Sequence, residues 1–295
     1  MDQMKSPARQ ERIIFAGVAR DCQQFLPQVL ASLERLSSQF SDCAYIFVEN
    51  DSKDSTKSIF QSWGQSKKNF HFINMDGIGQ IPIRTIRLEL VRNVYIEYIR
   101  NNAILSSYDY LVILDMDDAN VYGTSTDKFL EAIDFLSSEK NHAGVFSNQI
   151  GTYYDMWAFR HPQLCPNDVW EEVLDYVHIH QASDDVAFGK TFGTRVTSLD
   201  SSGGMLEVDS AFGGFGVYKL PYVVQNTNPY LGSRVKVMFN ENGLANICRL
   251  QMCEHVHFHA GIKNLGGRLF VKQDLINGMN FGINFPPSTF RNYIF

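Results

Sequence analysis

The segment that decides the fold runs from Tyr110 to Asp118 and reads YLVILDMDD. Its apolar half predicts a strand buried on both faces, which is typical of parallel sheets. Ligands bind at the carboxyl ends of strands in such sheets, so this strand places its acids at a binding edge. Side chains alternate along an extended chain, which predicts that Asp115 and Asp117 lie on the same side. Two carboxylates this close favour a divalent cation, Mn²⁺ or Mg²⁺, over an acidic helix cap.

The rest of the first half alternates apolar strands with amphipathic helices. Strands are predicted at Arg12 to Val18, Ala44 to Val48, Phe70 to Asn74 and Tyr110 to Leu114. Helices are predicted at Phe25 to Leu36, Ser55 to Trp63 and Arg87 to Arg100. This order predicts an α/β protein with a Rossmann-like, mostly parallel central sheet and helices on both faces.

The second half is less regular. A helix is predicted at Lys128 to Ser137, and strands at Gly144 to Ser147, within Gly203 to Tyr218, at Val235 to Phe239 and at Cys253 to His259. A structured loop is predicted at Tyr153 to Pro166, and the segment after Gly266 is predicted to be an irregular tail. We find neither a repeat nor a low-complexity linker. A single domain over 1–295 is therefore predicted, with a nucleotide-binding lobe at 1–120 and an irregular lobe for acceptor and metal at 121–295.

The composition limits the kinds of partner and the cellular location that are expected for this chain. The chain has 295 residues, a net charge of −6 and 44% hydrophobic residues. It lacks the dense basic runs of nucleic-acid-binding proteins, so no nucleic-acid partner is expected. Five cysteines without a CxxC pair are typical of reduced thiols, and no stretch approaches the ~20 apolar residues of a membrane span. The predicted location is the cytoplasm, with peripheral contact at the inner face of the membrane as an open alternative.

Two stretches together resemble the donor site of glycosyltransferases with the GT-A fold. The Asp-x-Asp after a buried strand resembles their metal-binding motif. Val48 to Thr56 (VENDSKDST) resembles their second-strand loop V-D-D-x-S-x-D-x-T, with Glu49 and Asn50 at its first two acids. The resemblance implies that Glu49 contacts the base or ribose and leaves the base open. The further donor-binding residues predicted near these loops are Ala16, Arg20 and Asp54.

Two more motifs resemble the capsule-associated mannosyltransferases first described in cryptococci. Arg84 to Asn93 (RTIRLELVRN) resembles their R-x-x-x-L-A-x-x-R-N helix, and Tyr154 to Arg160 (YDMWAFR) their Y-D-x-W-x-x-R-D segment. His161 departs from the final Asp. With the other motifs, the resemblance spans Ile13 to Arg160, about half the chain, and suggests this family or a bacterial relative.

This resemblance implies sugar transfer from a nucleotide-diphosphate sugar, with GDP-mannose as the family's suggestion. The implied acceptor is a hydroxyl of a glycan or glycolipid in cell-surface polysaccharide synthesis. The predicted donor-binding residues of the helix are Arg87, Arg92 and Asn93. The predicted acceptor-binding residues are Tyr154, Asp155, Trp157 and Phe215.

Histidines alternate in Glu254 to His259 (EHVHFH). If this segment is extended, three histidines point to one side. By resemblance to GT-A enzymes, His257 or His259 completes the metal site, and Lys263 reaches the diphosphate. The alternatives are a three-histidine zinc site and a polar strand face. Glu254 points the other way and is either a general base or a salt-bridge partner.

Asp209 to Gly216 (DSAFGGFG) is a strand interrupted by glycines, which let backbone approach a ligand closely. By the same resemblance, Gly214 lies beneath the donor sugar and Asp209 is the catalytic-site acid that holds its hydroxyls.

Three other functions remain open at this stage. A nucleotidyltransferase shares the acidic strand end, but Ala16 to Arg20 has too few glycines for its phosphate loop. The second alternative is a zinc-dependent hydrolase, which the three-histidine zinc site would imply. The third is a non-catalytic protein that has the same fold and binds sugar nucleotides without turnover.

Overall fold

The chain's computed structural model describes residues 8–239, 243 and 245–280. The strands in this part of the chain are β1 Arg9–Ala19, β2 Phe40–Glu49, β3 Phe70–Asn74, β4 Tyr110–Asp115, β5 His142–Gly151, β6 Met205–Val208, β7 Phe215–Lys219, β8 Ser233–Phe239, β9 Ala245–Gln251 and β10 Arg268–Asn280. The helices are α1 Leu26–Ser37, α2 Thr56–Gly64, α3 Arg84–Arg100, α4 Thr126–Ser138, α5 Val169–His180, α6 Asp184–Lys190, α7 Phe192–Arg195, α8 Leu220–Gln225 and α9 Glu254–Asn264.

Eight strands form one sheet in the order β3-β2-β1-β4-β7-β5-β10-β6. The pairs β2–β3, β1–β2, β1–β4 and β5–β10 are parallel. Strand β7 runs antiparallel to both β4 and β5, and β6 runs antiparallel to β10. The predicted mostly parallel sheet is therefore confirmed, and strands from both halves of the chain contribute to it. Strands β8 and β9 form a separate antiparallel hairpin.

Alternation along the strands separates two apolar layers. Ile13 and Phe15 of β1 pack with helices α1, α2 and α4 on one face. Ile14 and Ala16 pack with α3, α5, α8 and α9 on the other. The prediction of helices on both faces is confirmed, because successive side chains of a strand point to opposite faces. Within the described ranges, no helix combines the length and apolar composition that crossing a bilayer requires.

Two expectations for the second half are wrong. Cys253 to His259 is not a strand, because helix α9 begins at Glu254. The buried positions of α9 include Glu254, His255, Phe258, His259 and Ile262, a spacing of three and four residues that defines one helical face. The predicted tail after Gly266 contains β10, which is 13 residues long and lies between β5 and β6. The part of that tail beyond residue 280 lies outside the described residues.

Gly17 makes room for the residue between the two acids. It lies in β1 opposite Leu114 of β4. A Cβ on Gly17 would lie 2.8 Å from the Sδ of Met116 and 2.9 Å from the carbonyl oxygen of Leu114. Because these distances are shorter than ordinary contacts, any side chain here displaces Met116 or parts the two strands.

We therefore expect Gly17→Ala to lower the free energy of unfolding by about 1–3 kcal/mol, the usual cost of overpacking a core. Gly204→Ala is the matched control, since a Cβ there has no heavy atom of the described residues within 4 Å. Denaturant unfolding of both variants measures the difference. Equal stabilities would contradict the packing role of Gly17.

Candidate active site

The carboxyl ends of β1, β2 and β4 meet at one edge of the sheet. They surround a cavity of about 250 Å³, here called the arginine cavity. Its lining residues are Val18, Ala19, Arg20, Cys22, Asn50, Arg84, Arg87, Leu88, Val91, Asp115 and Asp117. The predicted placement of Asp115 and Asp117 beside a common space is therefore observed.

A second cavity of about 280 Å³ adjoins the first, and the two share Arg84, Leu88 and Asp115. We call it the aromatic cavity, because five aromatic rings line it. Its lining residues are Arg84, Leu88, Arg92, Asp115, Tyr154, Asp155, Met156, Trp157, Trp170, Phe192, Phe212, Cys253, Glu254 and His255. The predicted acceptor residues Tyr154, Asp155 and Trp157 all lie here.

The backbone around Gly214 holds the acidic strand end in place. The amide of Asp115 donates to the carbonyl of Gly214 at 2.9 Å, and the side chain of Asn120 donates to the carbonyls of both residues at 2.8 Å. Gly214 has φ +83°, a conformation that L side chains rarely adopt. The side chain of Asp117 accepts from the amide of Ala119 at 3.2 Å. The glycine segment thus lies against the acid pair.

Three carboxyl groups at the two cavities have raised pKa values. Burial raises the pKa of Asp115 to about 7, against the opposing effect of Arg92 and with a further increase from Asp117. Burial also raises the pKa of Asp117. Burial and then the charge of Glu254 raise the pKa of Asp155 to about 6. Each of these carboxylates is therefore costly to ionise without a cation or a donor.

The acid pair fits a cation that arrives with a phosphate ligand. In the described part of the chain, no three His, Cys, Asp or Glu side chains are grouped to hold a metal ion. Mg²⁺ is usually bound by one or two carboxylates together with water and substrate phosphates, rather than by a complete protein cage. Asp115 and Asp117 supply that number of carboxylates.

Three arginines face the acids across the arginine cavity. They are Arg20 after β1, and Arg84 and Arg87 in the first turn of α3. Burial and the charges of Arg20 and Arg84 lower the pKa of Arg87, so the Arg87 guanidinium lies close enough to the other two to be repelled by them. The side chain of Arg87 also donates to the carbonyl of Ile81. Such a cluster is stabilised by a multiply charged anion, and guanidinium groups match phosphate oxygens in geometry.

Arg92 joins Asp115 to Glu254. Its Nη2 lies 3.0 Å from Asp115 Oδ1, and its Nε lies 2.8 Å from Glu254 Oε1. The Arg92 side chain is 3% exposed and the Glu254 side chain 6%. Of the two roles predicted for Glu254, the structure favours the salt-bridge partner, because its carboxylate is committed to a buried arginine.

The histidines do not share one side, because α9 is a helix. His255 and His259 lie on its buried face, whereas His257 is turned away and its Nδ1 contacts the carbonyl of Pro229 at 2.9 Å. His259 is completely buried, with Nδ1 2.8 Å from Ser210 Oγ and Nε2 2.9 Å from the hydroxyl of Tyr218. Burial lowers its pKa to about 3.

Both metal predictions for this segment therefore fail within the described residues. A three-histidine zinc site is not formed among them, and neither His257 nor His259 joins the acid pair in a metal-binding group. The three-histidine prediction required an extended segment, whereas these residues form a helix. The ring nitrogens of His259 are instead used in hydrogen bonds that hold α9 against β7 and its preceding loop.

Several predicted donor residues have structural partners instead. Glu49 is completely buried, and its Oε1 accepts from the amide of Ser52 at 2.7 Å, so it is the neighbouring Asn50 that lines the arginine cavity. Asp54 accepts from the amides of Gln23 and Thr56 at 3.0 and 2.9 Å, which ties the first loop to the second.

Asn93 and two apolar residues also belong to the framework. The side chain of Asn93 exchanges hydrogen bonds with the backbone of Tyr230 at 3.0 and 2.9 Å. Ala16 and Phe215, predicted to bind donor and acceptor, are 0% and 1% exposed and lie in the two apolar layers. Core packing therefore uses these two side chains.

Asp209 and Lys263 pair with each other at the surface. Lys263 lies near the end of α9, nine residues after Glu254, which is about 13 Å along the helix axis. Lys263 is therefore distant from the end of α9 that borders the aromatic cavity, and the ion pair accounts for both side chains.

Other lining residues were not predicted. Arg84 begins the motif in α3 and is not among the predicted site residues, yet it borders both cavities. Trp170 and Phe192 come from α5 and α7, in a stretch where no helix was predicted. The available signal was Asp168, whose side chain accepts from the amides of Trp170 and Glu171 and starts α5 as a helix cap.

Comparison with solved structures places this architecture among GT-A folds. The mannosyltransferase PcManGT from Pyrobaculum calidifontis, in complex with GDP-Man and Mn²⁺, aligns with a TM-score of 0.52 and 11% identity over 95% of this chain and 62% of its own. TarS 1–349 from S. aureus aligns with a TM-score of 0.50 and 12% identity over 91% of this chain and 60% of its own. The chain thus spans less than two thirds of either structure. No protein-family model matches the sequence, and no curated protein does.

Asp155 provides a test of the raised pKa values. Its folded-state pKa of about 6 exceeds the ordinary 3.8, so the folded state holds a proton that the unfolded state has already lost between these pH values. Stability contributed by this group therefore falls as pH rises from about 4 to 6 and stays low above that. We expect Asp155→Asn to stabilise the ligand-free protein at pH 7.5 by on the order of 2–3 kcal/mol.

Denaturant unfolding at pH 4 and at pH 7.5 measures this effect. The difference between variant and wild type is expected to vanish at pH 4. A stabilisation of the same size at both pH values would show that charge is not its cause.

Proposed function

We propose that the chain is a metal-dependent glycosyltransferase that moves a sugar from a nucleotide-diphosphate sugar to a hydroxyl group. The observation that carries this proposal is the meeting of Asp115 and Asp117 with Arg20, Arg84 and Arg87 around one cavity at the ligand-binding edge of the sheet. A site with two carboxylates and three guanidinium groups suits a diphosphate that brings a cation. The GT-A fold agrees with this function.

In this proposal the arginine cavity holds the diphosphate. Asp115 and Asp117 would hold Mn²⁺ or Mg²⁺, which supplies charge neutralisation for the departing diphosphate. Arg20, Arg84 and Arg87 donate to the phosphate oxygens, where guanidinium groups bind as paired donors. Asn50, which follows β2 and lines the same cavity, is the polar side chain that we assign to the nucleoside.

The aromatic cavity holds the sugar and the attacking hydroxyl. Its rings offer flat apolar surfaces, and Asp155 is our candidate for the base, because a carboxyl with a pKa of about 6 is close to balance at neutral pH. The acceptor oxygen forms a bond to the anomeric carbon while the bond from that carbon to the phosphate oxygen breaks. The hydroxyl proton passes to Asp155, and the electron pair leaves with the diphosphate.

The finer assignments name a donor and an acceptor. GDP-mannose is the first donor to test, since the mannosyltransferase that shares the fold was solved with GDP-Man and Mn²⁺. A hydroxyl of a glycan or glycolipid is the proposed acceptor, in cell-surface polysaccharide synthesis at the inner face of the membrane. The second candidate, a non-catalytic sugar-nucleotide-binding protein, predicts binding without turnover.

The test begins with thermal shifts of the protein with GDP-, UDP-, CMP- and dTDP-sugars, each with Mn²⁺ or with EDTA. We expect one donor to raise the melting temperature only with metal, because a ligand of the folded state stabilises it. Asp117→Asn should weaken binding of that donor by at least about 10-fold, since it removes one of two ligand charges. Its ligand-free melting temperature should not fall.

Asp118→Asn is the matched control, because this exposed acid follows Asp117 directly and lies outside the arginine cavity. It should bind donor as the wild type does. Absence of any metal-dependent shift in the wild type would overturn the proposed function. An Asp117→Asn protein with full metal-dependent binding would overturn the metal assignment.

Asp155→Asn tests the base separately. We expect kcat for transfer to fall by about 10²–10⁴-fold, the usual contribution of a positioned base, with little change in donor affinity. Single-turnover transfer from labelled donor, beside calorimetric binding of the same donor, separates the two quantities. Unchanged kcat would exclude Asp155 as the proton acceptor.

A further inference from the structure

His255 is a buried side chain with unused hydrogen-bonding capacity. It is 2% exposed and lines the aromatic cavity. Its ring stacks on Phe212, with centroids 4.0 Å apart, and meets the ring of Tyr230 edge-on at 5.4 Å. Neither ring nitrogen makes a hydrogen bond to any residue that the structure describes. Buried polar groups are nearly always paired, so this imidazole lacks a partner that a cavity ligand can provide.

Glu254 defines where that partner lies. Its Oε1 is 3.6 Å from Nε2 of His255, which is too long for a hydrogen bond between them. The same oxygen accepts from Arg92. A single oxygen atom at ordinary hydrogen-bond distance from both Oε1 and Nε2 fits this separation. A hydroxyl group meets the requirement, because it donates to the carboxylate while it accepts from the imidazole N–H.

The imidazole is neutral in this environment. Burial, followed by the nearby charge of Arg92, holds the pKa of His255 well below its usual range. A neutral imidazole presents one N–H donor and one bare acceptor nitrogen. It therefore binds a hydroxyl group according to whether that group donates or accepts a hydrogen bond, and it does not attract a charged group.

The charged lining of the aromatic cavity disfavours an anion. It consists of three carboxylates, Asp115, Asp155 and Glu254, and two guanidinium groups, Arg84 and Arg92. These two cations are already opposed by three carboxyl groups, so the lining has no excess of positive charge to pair with a carboxylate on the ligand. The volume of about 280 Å³ is just below the ~300–1,000 Å³ of drug-sized sites, which suits one ring.

We propose that His255 and Glu254 together bind one hydroxyl group of the transferred sugar, and that this sugar is neutral. The inference rests on the proposed function and names the substrate class of the same site. It makes His255 a specificity-determining residue and Glu254 its partner, held in place by Arg92.

The test compares the sugar's contribution to binding with that of the nucleotide. Dissociation constants are measured by calorimetry with Mn²⁺ for GDP and GDP-mannose and for UDP and UDP-glucose. The comparison uses the nucleotide and sugar nucleotide that the wild type binds. We expect His255→Phe to weaken binding of the sugar nucleotide by about 10-fold, the value of one lost hydrogen bond. Binding of the nucleoside diphosphate should weaken by less than about 2-fold. The ligand-free melting temperature should be unchanged or higher, because an unpaired buried polar group is removed.

His71→Phe is the matched control. His71 is a half-buried histidine on β3 that lies beside the ring of Tyr98 and outside the aromatic cavity. It should change neither constant. Equal losses for nucleotide and sugar nucleotide in His255→Phe, or no loss in either, would overturn this inference alone. Failure of every nucleoside diphosphate to bind the wild type would overturn the proposed function and this inference with it.

A second comparison uses only the wild type and does not depend on the folding of a variant. The neutral donor that the wild type binds should bind at least about 10-fold more tightly than its uronate counterpart, which differs in carrying a carboxylate. The pairs compared are GDP-mannose with GDP-mannuronate and UDP-glucose with UDP-glucuronate. Deoxy analogues of the bound donor should show one hydroxyl whose removal weakens binding by about 10-fold. Equal affinity for the neutral and anionic donors, or a uniform response to every deoxy analogue, would contradict the proposal.

Discussion

The buried contact of Arg92 with Asp115 and Glu254 connects the parts of the site. It joins α3, the end of β4 and the start of α9, three elements far apart in sequence. Taking three charges out of water is costly, and their attraction compensates only when the geometry is good and the groups are hydrogen-bonded. The guanidinium group also lies over the ring of Phe212, 5.0 Å from its centroid. Removal of Arg92 would leave the buried Glu254 and the partly buried Asp115 without compensation, so the position of Asp115 depends on this residue.

The first half of the fold could be predicted from the sequence because its signals are local. Apolar runs marked β1 to β4, and β3 was predicted with its observed bounds at Phe70 and Asn74. The predictions for the second half were wrong where a local pattern had two interpretations. Polar and apolar residues alternate in Glu254 to His259 as in a half-buried strand, yet α9 buries Glu254, His255 and His259. No local rule predicts burial of these polar side chains, since their partners come from distant elements.

The difference between local signals and contacts with distant elements also separates the site residues that were predicted from those that were not. Asp115, Asp117, Arg20, Arg87 and Arg92 were predicted from strand ends and a helix motif, and all line a cavity. A motif fixes the place of a residue along the chain, but not what its side chain contacts. Glu49, Asp54 and Asn93 occupy predicted positions, and backbone groups use their polar atoms. Such hydrogen bonds depend on loop conformation, which the sequence pattern did not specify.

The cavities combine groups that a framework without a ligand would not favour. Asp115 and Asp155 have pKa values raised to about 7 and about 6, and His255 is buried without a hydrogen-bond partner among the described residues. Each lowers the stability of the ligand-free protein at neutral pH. Burial disfavours the ionised form of the two carboxyl groups, and His255 is a buried polar group without a partner. A cation beside Asp115 would add to the compensation that Arg92 provides, and a hydroxyl would supply the missing partner of His255. A metal-bound sugar nucleotide would thus satisfy the groups that lower the stability of the protein, so its binding should stabilise the protein beyond the contacts of the diphosphate alone.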